Sequence, residues 1–162
     1  MKNKKIHLLT QAAMIAALYV VLSLLANAFG LANYAVQIRF SEALTILPYF
    51  TSAGIPGLFI GCFISNILTG AALPDIIFGS LATLIGAIGT RMFRKHKWLA
   101  PLSPIAANAV IIPFVLKYAY GIEPIWFSFV TVTLGEIISC GVLGMIVLLA
   151  LDKYKVVVFG MN

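Results

Sequence analysis

The sequence predicts an all-α membrane protein: a bundle of six transmembrane helices with both termini on the cytoplasmic side. Three observations predict it. Of 162 residues, 62% are hydrophobic and only 10% are charged, and mean hydropathy is +1.05. An ordinary soluble domain carries about 25% charged residues. Several apolar runs reach roughly twenty residues, the length that spans a hydrocarbon core of about 30 Å. Most of the eleven Lys and Arg gather in three clusters at the ends of those runs: Lys2, Lys4, Lys5; Arg91, Arg94, Lys95, Lys97; and Lys153, Lys155. Such clusters hold loops on the cytoplasmic side and attract anionic lipid. A chain this short leaves no room for a second domain, so residues 1–162 form a single integral membrane domain.

The apolar runs fall near 8–29, 41–52, 54–70, 74–93, 98–119 and 124–151. The first starts from a basic segment and has no small-residue cleavage site near Asn27, so it reads as a retained helix rather than a signal peptide. The second is short and carries Pro48, and 41–70 could be one kinked crossing or two. Charge decides between these. Two crossings put all three basic clusters on one side, whereas one crossing puts 91–97 opposite the N-terminus. The breaks between the remaining runs carry turn residues: Ser52 to Gly54, Gly70 to Pro74, Lys95 to Lys97 and Gly121 to Pro124. This topology leaves three connections outside, near 30–40, 70–74 and 119–123. The first carries Asn33, Tyr34, Gln37 and Arg39 and is long enough to fold over a cavity.

Small residues repeat at helical spacing in two runs: Gly57, Gly61, Ser65, Thr69 and then Gly79, Thr83, Gly86, Thr90. Such stripes let helix backbones approach closely, because lipid gives helices no hydrophobic drive to associate. In the first run Ala12/Ala16 and Ala13/Ala17 make two overlapping pairs beside Gln11. From the pattern alone they either pack internally or face a partner protein. Cys62 and Cys140 lie deep in apolar runs and read as small hydrophobes, not as a disulfide framework.

Ionisable and amide groups inside a bilayer are costly and mark cavities or partners. Glu136 stands twelve residues into the last run, about 18 Å along a helix and so near the midplane. Asn108 lies between Pro104 and Pro113, which loosen the helix around it. Asn66 is close to the outer end of the third run, and serves either as interhelical glue or as a ligand contact. Asp75 follows Pro74 and either caps the helix or lines a site. Arg39 and Glu42, three residues apart, form a local ion pair or reach a ligand. Lys117, Glu123, Asp152, His7 and His96 read as solvated. Arg39, Glu42, Asn66, Asp75, Asn108 and Glu136 come from five different runs, and their three carboxylates face one cation. A pocket of that composition suits a small polar molecule rich in hydrogen-bond donors, one that can carry a positive charge.

The chain has no Walker-type phosphate loop, no H-E-x-x-H, no C-x-x-C and no G-x-S-x-G. ATP binding, metal hydrolysis and serine chemistry therefore lack their parts, and the reading is a binding protein rather than an enzyme. No base-stacking motif accompanies the net charge of +6, which sets nucleic acid aside.

Four segments carry a family resemblance: Val36-Gln-Ile-Arg-Phe-Ser-Glu-Ala-Leu-Thr-Ile-Leu-Pro48, Gly61-Cys-Phe-Ile-Ser-Asn66, Asp75-Ile-Ile-Phe-Gly-Ser-Leu-Ala-Thr83 and Gly135-Glu-Ile-Ile-Ser-Cys140. Together they resemble the QueT family, the substrate-binding S components of energy-coupling factor (ECF) transporters for queuosine precursors. The resemblance covers nearly the whole chain. It implies an S-component bundle in the plasma membrane, working with a transmembrane T component and two cytoplasmic ATPases. ATP is hydrolysed by those partners, and no cofactor is bound by this chain. In that class the small-residue motif of the first helix meets the T component, which assigns Ala12, Ala13, Ala16 and Ala17 to that face. The implied cargo is a 7-deazaguanine, either an aminomethyl (preQ1-like) or a queuine-like base. The rivals are an S component for another vitamin-like molecule and a solitary ion-coupled carrier.

Overall fold

In the computed structural model, which describes residues 2–30 and 38–159, the chain is all-helical among the described residues. Helix α1 covers Lys2–Ala28, α2 Gly54–Leu68, α3 Leu73–Met92 and α4 Leu102–Tyr120. The last long run, Ile125–Asp152, is one continuous rod of α5 (Ile125–Glu136), a π-helical turn (Ile137–Leu143) and α6 (Gly144–Asp152). A short α7 (Lys155–Phe159) follows and stacks Phe159 on Phe50, with ring centroids 5.0 Å apart. Four of these runs, within α1, α3, α4 and Ile125–Asp152, are long and apolar enough to cross a membrane. Helix α2, with 15 residues, is shorter, about 22 Å at the α-helical rise. Large apolar side chains stand outward on every one of them, among them Leu18, Ile64, Ile85, Phe114 and Ile146. A surface of that kind belongs in lipid.

The run expected as a second span, 41–52, is instead a ten-residue 3₁₀ helix, Phe40–Tyr49. At about 2.0 Å per residue it covers roughly 20 Å, less than a hydrocarbon core. It is not a lipid-facing rod. Ser41 through Pro48 are all buried, and the segment touches α1, α2, α3, α6 and the π turn. A 3₁₀ helix aligns residues three apart, and three partners take the three resulting rows. Leu44 and Leu47 join Ile15, Tyr19, Leu58 and Cys62 in one core cluster. Ile46 joins Phe50, Ala100 and Leu148 in a second. Glu42 and Thr45 form the polar row, where Thr45 Oγ1 lies 3.3 Å from Cys140 Sγ. At the far end Arg91 Nη1 donates to the carbonyls of Pro48 (3.2 Å) and Tyr49 (3.4 Å). Carbonyls left open at a helix end away from water need such a donor. Arg91, read in the sequence purely as a topology signal, therefore also closes the 3₁₀ helix.

The small-residue stripes do bring backbones together. A Cβ on Gly57 would stand 2.7 Å from the Ala12 carbonyl, and one on Gly61 2.7 Å from Tyr19 Cβ. One on Gly86 would stand 2.7 Å from Pro104 Cα, on α4. Ala12 and Ala16 are buried in the α1–α2 seam, while Ala13 and Ala17, about 100° further round α1, are exposed. The two overlapping pairs thus part company. Gln11 is engaged inward, accepting a hydrogen bond from Thr51 Oγ1 at 2.8 Å.

Candidate functional site

At the end of the bundle away from Arg91 and Arg94, a chamber of about 360 Å³ opens between α1, α2, α3 and α4. Its size falls in the range of small-molecule pockets. Its walls include Tyr19, Ser23, Asn27, Arg39, Asn66, Asp75 and Tyr120, and Arg39 and Asp75 are the charged members. A second space of about 10 Å³ is lined by Arg39, Asn108, Ile112, Val132 and Glu136. That is room for roughly one water. Arg39 lines both, standing between the chamber and this deep cleft.

The six predicted residues therefore divide. Arg39, Asn66 and Asp75 are in the chamber wall, and Arg39, Asn108 and Glu136 are in the cleft. Glu42 lines neither. It is buried behind them, 1% exposed, and accepts a hydrogen bond from the Tyr19 hydroxyl on Oε1, while its Oε2 has no partner among the described residues. It is nonetheless a close neighbour of the cleft. Donor atoms of Glu42, Glu136 and Cys140 lie within 4.8 Å of one another. Asn108 adjoins both carboxylates, and the charge of Arg39 acts on both. Two acids and a thiol at that spacing could hold a cation, and equally the clustered N–H donors of an organic ligand.

Local structure explains how Glu136 reaches this point. It is the last residue of α5, where the helix widens into the π turn. Such turns are common at functional sites because the extra residue per turn frees backbone groups and turns side chains. Here Ser139 Oγ accepts the Arg39 backbone N–H at 3.2 Å, and Cys140 Sγ lies 3.0 Å from Glu136 Oε2. The π turn fastens the start of the 3₁₀ helix and supports the carboxylate at once.

Asp75 is not a cap. The N-cap of α3 is Ala72, with no side-chain cap bond, and Asp75 stands within the first turn with Oδ2 3.3 Å from the Tyr120 hydroxyl. Asn66 acts as the interhelical glue that was one of its two expected roles. Its Nδ2 donates to the Asp75 carbonyl at 3.3 Å, joining α2 to α3, and the residue also walls the chamber. Arg39 and Glu42 form no ion pair within 4.0 Å; the ion pairs among the described residues are Lys117–Glu123 and Lys155–Asp152. Asn33, Tyr34 and Gln37, expected over the cavity, lie outside the described residues.

Sequence reading missed Tyr19, Tyr120 and Cys140. Tyr19 did leave a signal: Ala12, Ala16, Tyr19 and Ser23 recur at helical spacing on the inward face of α1, and Ser23 Oγ donates to Ser41 Oγ at 2.8 Å. Cys140, taken for a hydrophobe, is a polar contact of Glu136. Its place four residues after Glu136, on the same helix face, was the sign of that contact.

The described residues thus make an all-helical membrane protein in which polar side chains from separate helices line one chamber. The chain belongs to the QueT transporter family, whose profile matches residues 9–153. It is 34% identical over 98 residues to the queuosine precursor transporter QueT of Lactococcus lactis subsp. cremoris (strain MG1363). That match covers 60% of this chain and 57% of the relative, so the chain spans a little over half the length of the curated protein it matches. No solved structure matches it.

Proposed function

We propose that this protein is the substrate-capture subunit of an ECF-type importer for a queuosine precursor, a 7-deazaguanine base. The observation that carries the reading is a chamber of about 360 Å³, walled by polar side chains from separate helices, in a chain of the QueT transporter family. Six crossings with cytoplasmic termini are the topology that the basic clusters favour, and that orientation opens the chamber to the outside; the plasma membrane is the location that membership of the family implies. The 3₁₀ helix counts in this topology as the buried second crossing.

The base enters the chamber, and its pyrimidinone edge presents adjacent N–H donors to Glu136. A carboxylate accepts such a pair as charge-assisted bonds. Because the cleft has room for about one water, the edge reaches Glu136 when the Arg39 side chain gives way. Asn108 and Asn66 serve the carbonyl and ring nitrogens. An aminomethyl substituent adds a cation, for which Glu42 and Asp75 are the remaining carboxylates. On the lipid side, Ala13 and Ala17 offer the close-approach surface for a T component, with Ala12 and Ala16 behind them holding α1 to α2. Two partner ATPases supply the energy.

Mass spectrometry of the small molecule released from gently purified protein tests the cargo, and copurification tests the assembly. A deazaguanine, together with a T protein and ATPases, is expected. A different vitamin-like molecule, or a chain that transports alone, would overturn the reading.

A further inference from the structure

The connection between α3 and α4 carries positive charge that no acidic side chain of the protein balances. The sequence holds five Asp and Glu residues, and each is accounted for. Glu42, Asp75 and Glu136 are buried within reach of the Arg39 charge, Glu123 pairs with Lys117, and Asp152 pairs with Lys155. Arg91 is engaged on the Pro48 and Tyr49 carbonyls. That leaves Arg94, Lys95 and Lys97, which have no carboxylate within 4.0 Å among the described residues. Arg94 and Lys95 are exposed. The segment that bears them is tied down, with the His96 N–H donating to the Phe93 carbonyl at 2.8 Å and Thr90 Oγ1 to the Ala100 carbonyl at 3.1 Å.

The same segment closes one end of an apolar groove. About 540 Å³ lies between α3 and α4, with Ile85 and Phe93 on one wall and Leu102, Ser103, Ala106 and Val110 on the other. Residues 94–101 join Phe93 to Leu102, so the basic cluster stands at the mouth of the groove. Behind it the two helices touch, Gly86 against Pro104 and Gly89 against Ser103, while Ile85 and Val110 are exposed on the lipid side. From Ile85 to Phe93 the wall runs about 12 Å, close to the roughly 15 Å of one hydrocarbon leaflet. A second groove of about 310 Å³ continues from the shared Val110 and Ile111 toward Pro74 and Tyr118, but Lys117 at that end already has Glu123 at 3.0 Å. Unpaired cations and a groove coincide at the Phe93 end.

We propose that this end of the α3–α4 pair binds one anionic phospholipid, with an acyl chain in the groove and the headgroup phosphate on Arg94, Lys95 and Lys97. Phosphate on such cations gains charge-assisted hydrogen bonds, and basic residues next to a span favour anionic over zwitterionic lipid. The groove separates a seated lipid from the diffuse attraction that any basic loop exerts.

Trp98, exposed beside the cluster, is the reporter. The full chain carrying Trp126→Phe, which leaves Trp98 as its one Trp, is placed in phosphatidylcholine nanodiscs. A minor fraction of the lipid is phosphatidylglycerol brominated near the headgroup end of its chains or, in a parallel set, phosphatidylcholine brominated likewise. Trp98 should be quenched at least about twofold more by the anionic lipid. The preference should vanish when Arg94, Lys95 and Lys97 are all changed to Gln. It should also largely fall away in Ala106→Phe, which fills the groove and leaves the charges. Trp98→Phe, which reports from Trp126 instead, should show no preference. Equal quenching of Trp98 by the two lipids overturns the site, and so does a preference that survives removal of the charges. A preference that Ala106→Phe leaves intact, or that Trp126 shares, reduces it to diffuse attraction and overturns it as well. None of these results bears on the capture reading.

Discussion

The chamber holds Asp75 in about 360 Å³ of open space, whereas the neighbouring cleft holds Glu136, with Glu42 behind it, around about 10 Å³. Both are lined by Arg39, and both are built from acid and amide side chains that ordinary membrane spans exclude. What separates them is how those side chains are satisfied. In the cleft, Glu42 has Tyr19, Glu136 has Cys140, and Asn108 adjoins both. In the chamber, Asp75 has one long bond. The cleft network is the more connected of the two, although Glu42 Oε2 behind it and Asp75 Oδ1 at the chamber are both without a partner among the described residues.

This contrast can be broken in graded ways. The largest effect should come from Gly61→Val. Its side chain would meet Tyr19 Cβ and the Ala16 backbone, forcing α1 off α2 and withdrawing Tyr19 from Glu42. Overpacking of this kind costs about 1–3 kcal/mol, and size-exclusion profiles should show loss of much of the monodisperse protein. Tyr19→Phe is the cleaner cut. It strips Glu42 of its donor, leaving both carboxylate oxygens without one, at about 1–3 kcal/mol. A lowered thermal midpoint is expected, and an unchanged one would mean that the cleft network contributes nothing to holding the 3₁₀ helix. Ala13→Leu with Ala17→Leu should reduce the T component recovered on copurification several-fold while ligand titrations stay as in wild type. Weakened ligand binding there would show that the lipid-facing side of α1 is not separate from the polar path. Tyr120→Phe should do least, removing a long hydrogen bond to Asp75 and the acceptor of the exposed Ala72 N–H, together about 1 kcal/mol, read as a several-fold change at most in ligand affinity.

Much of the architecture was legible in the sequence, because span length and charge placement are imposed by the bilayer itself. The runs at 74–93 and 98–119 correspond to α3, Leu73–Met92, and α4, Leu102–Tyr120. The 3₁₀ helix was not legible. Ser41 to Pro48 are buried on all sides, so no exposed face marks the segment as a helix of one period rather than another. The site residues stood out for a physical reason, since a carboxylate or amide deep in an apolar run must answer for its cost. Their division into chamber and cleft could not be read, since it turns on where one Arg39 side chain lies among five helical segments. The split within α1 was hidden for a similar reason. Ala12/Ala16 and Ala13/Ala17 are chemically identical pairs, and only the position of Gly57 and Gly61 across the seam tells which is inward.

The most direct measurement is a calorimetric titration of the purified protein with a 7-deazaguanine base, carried out on wild type and on Glu136→Gln. Wild type should bind one equivalent, and the variant should bind at least about tenfold more weakly, as expected for losing one charge-assisted pair. Saturable binding of equal strength by both would place the base away from the cleft and contradict the account.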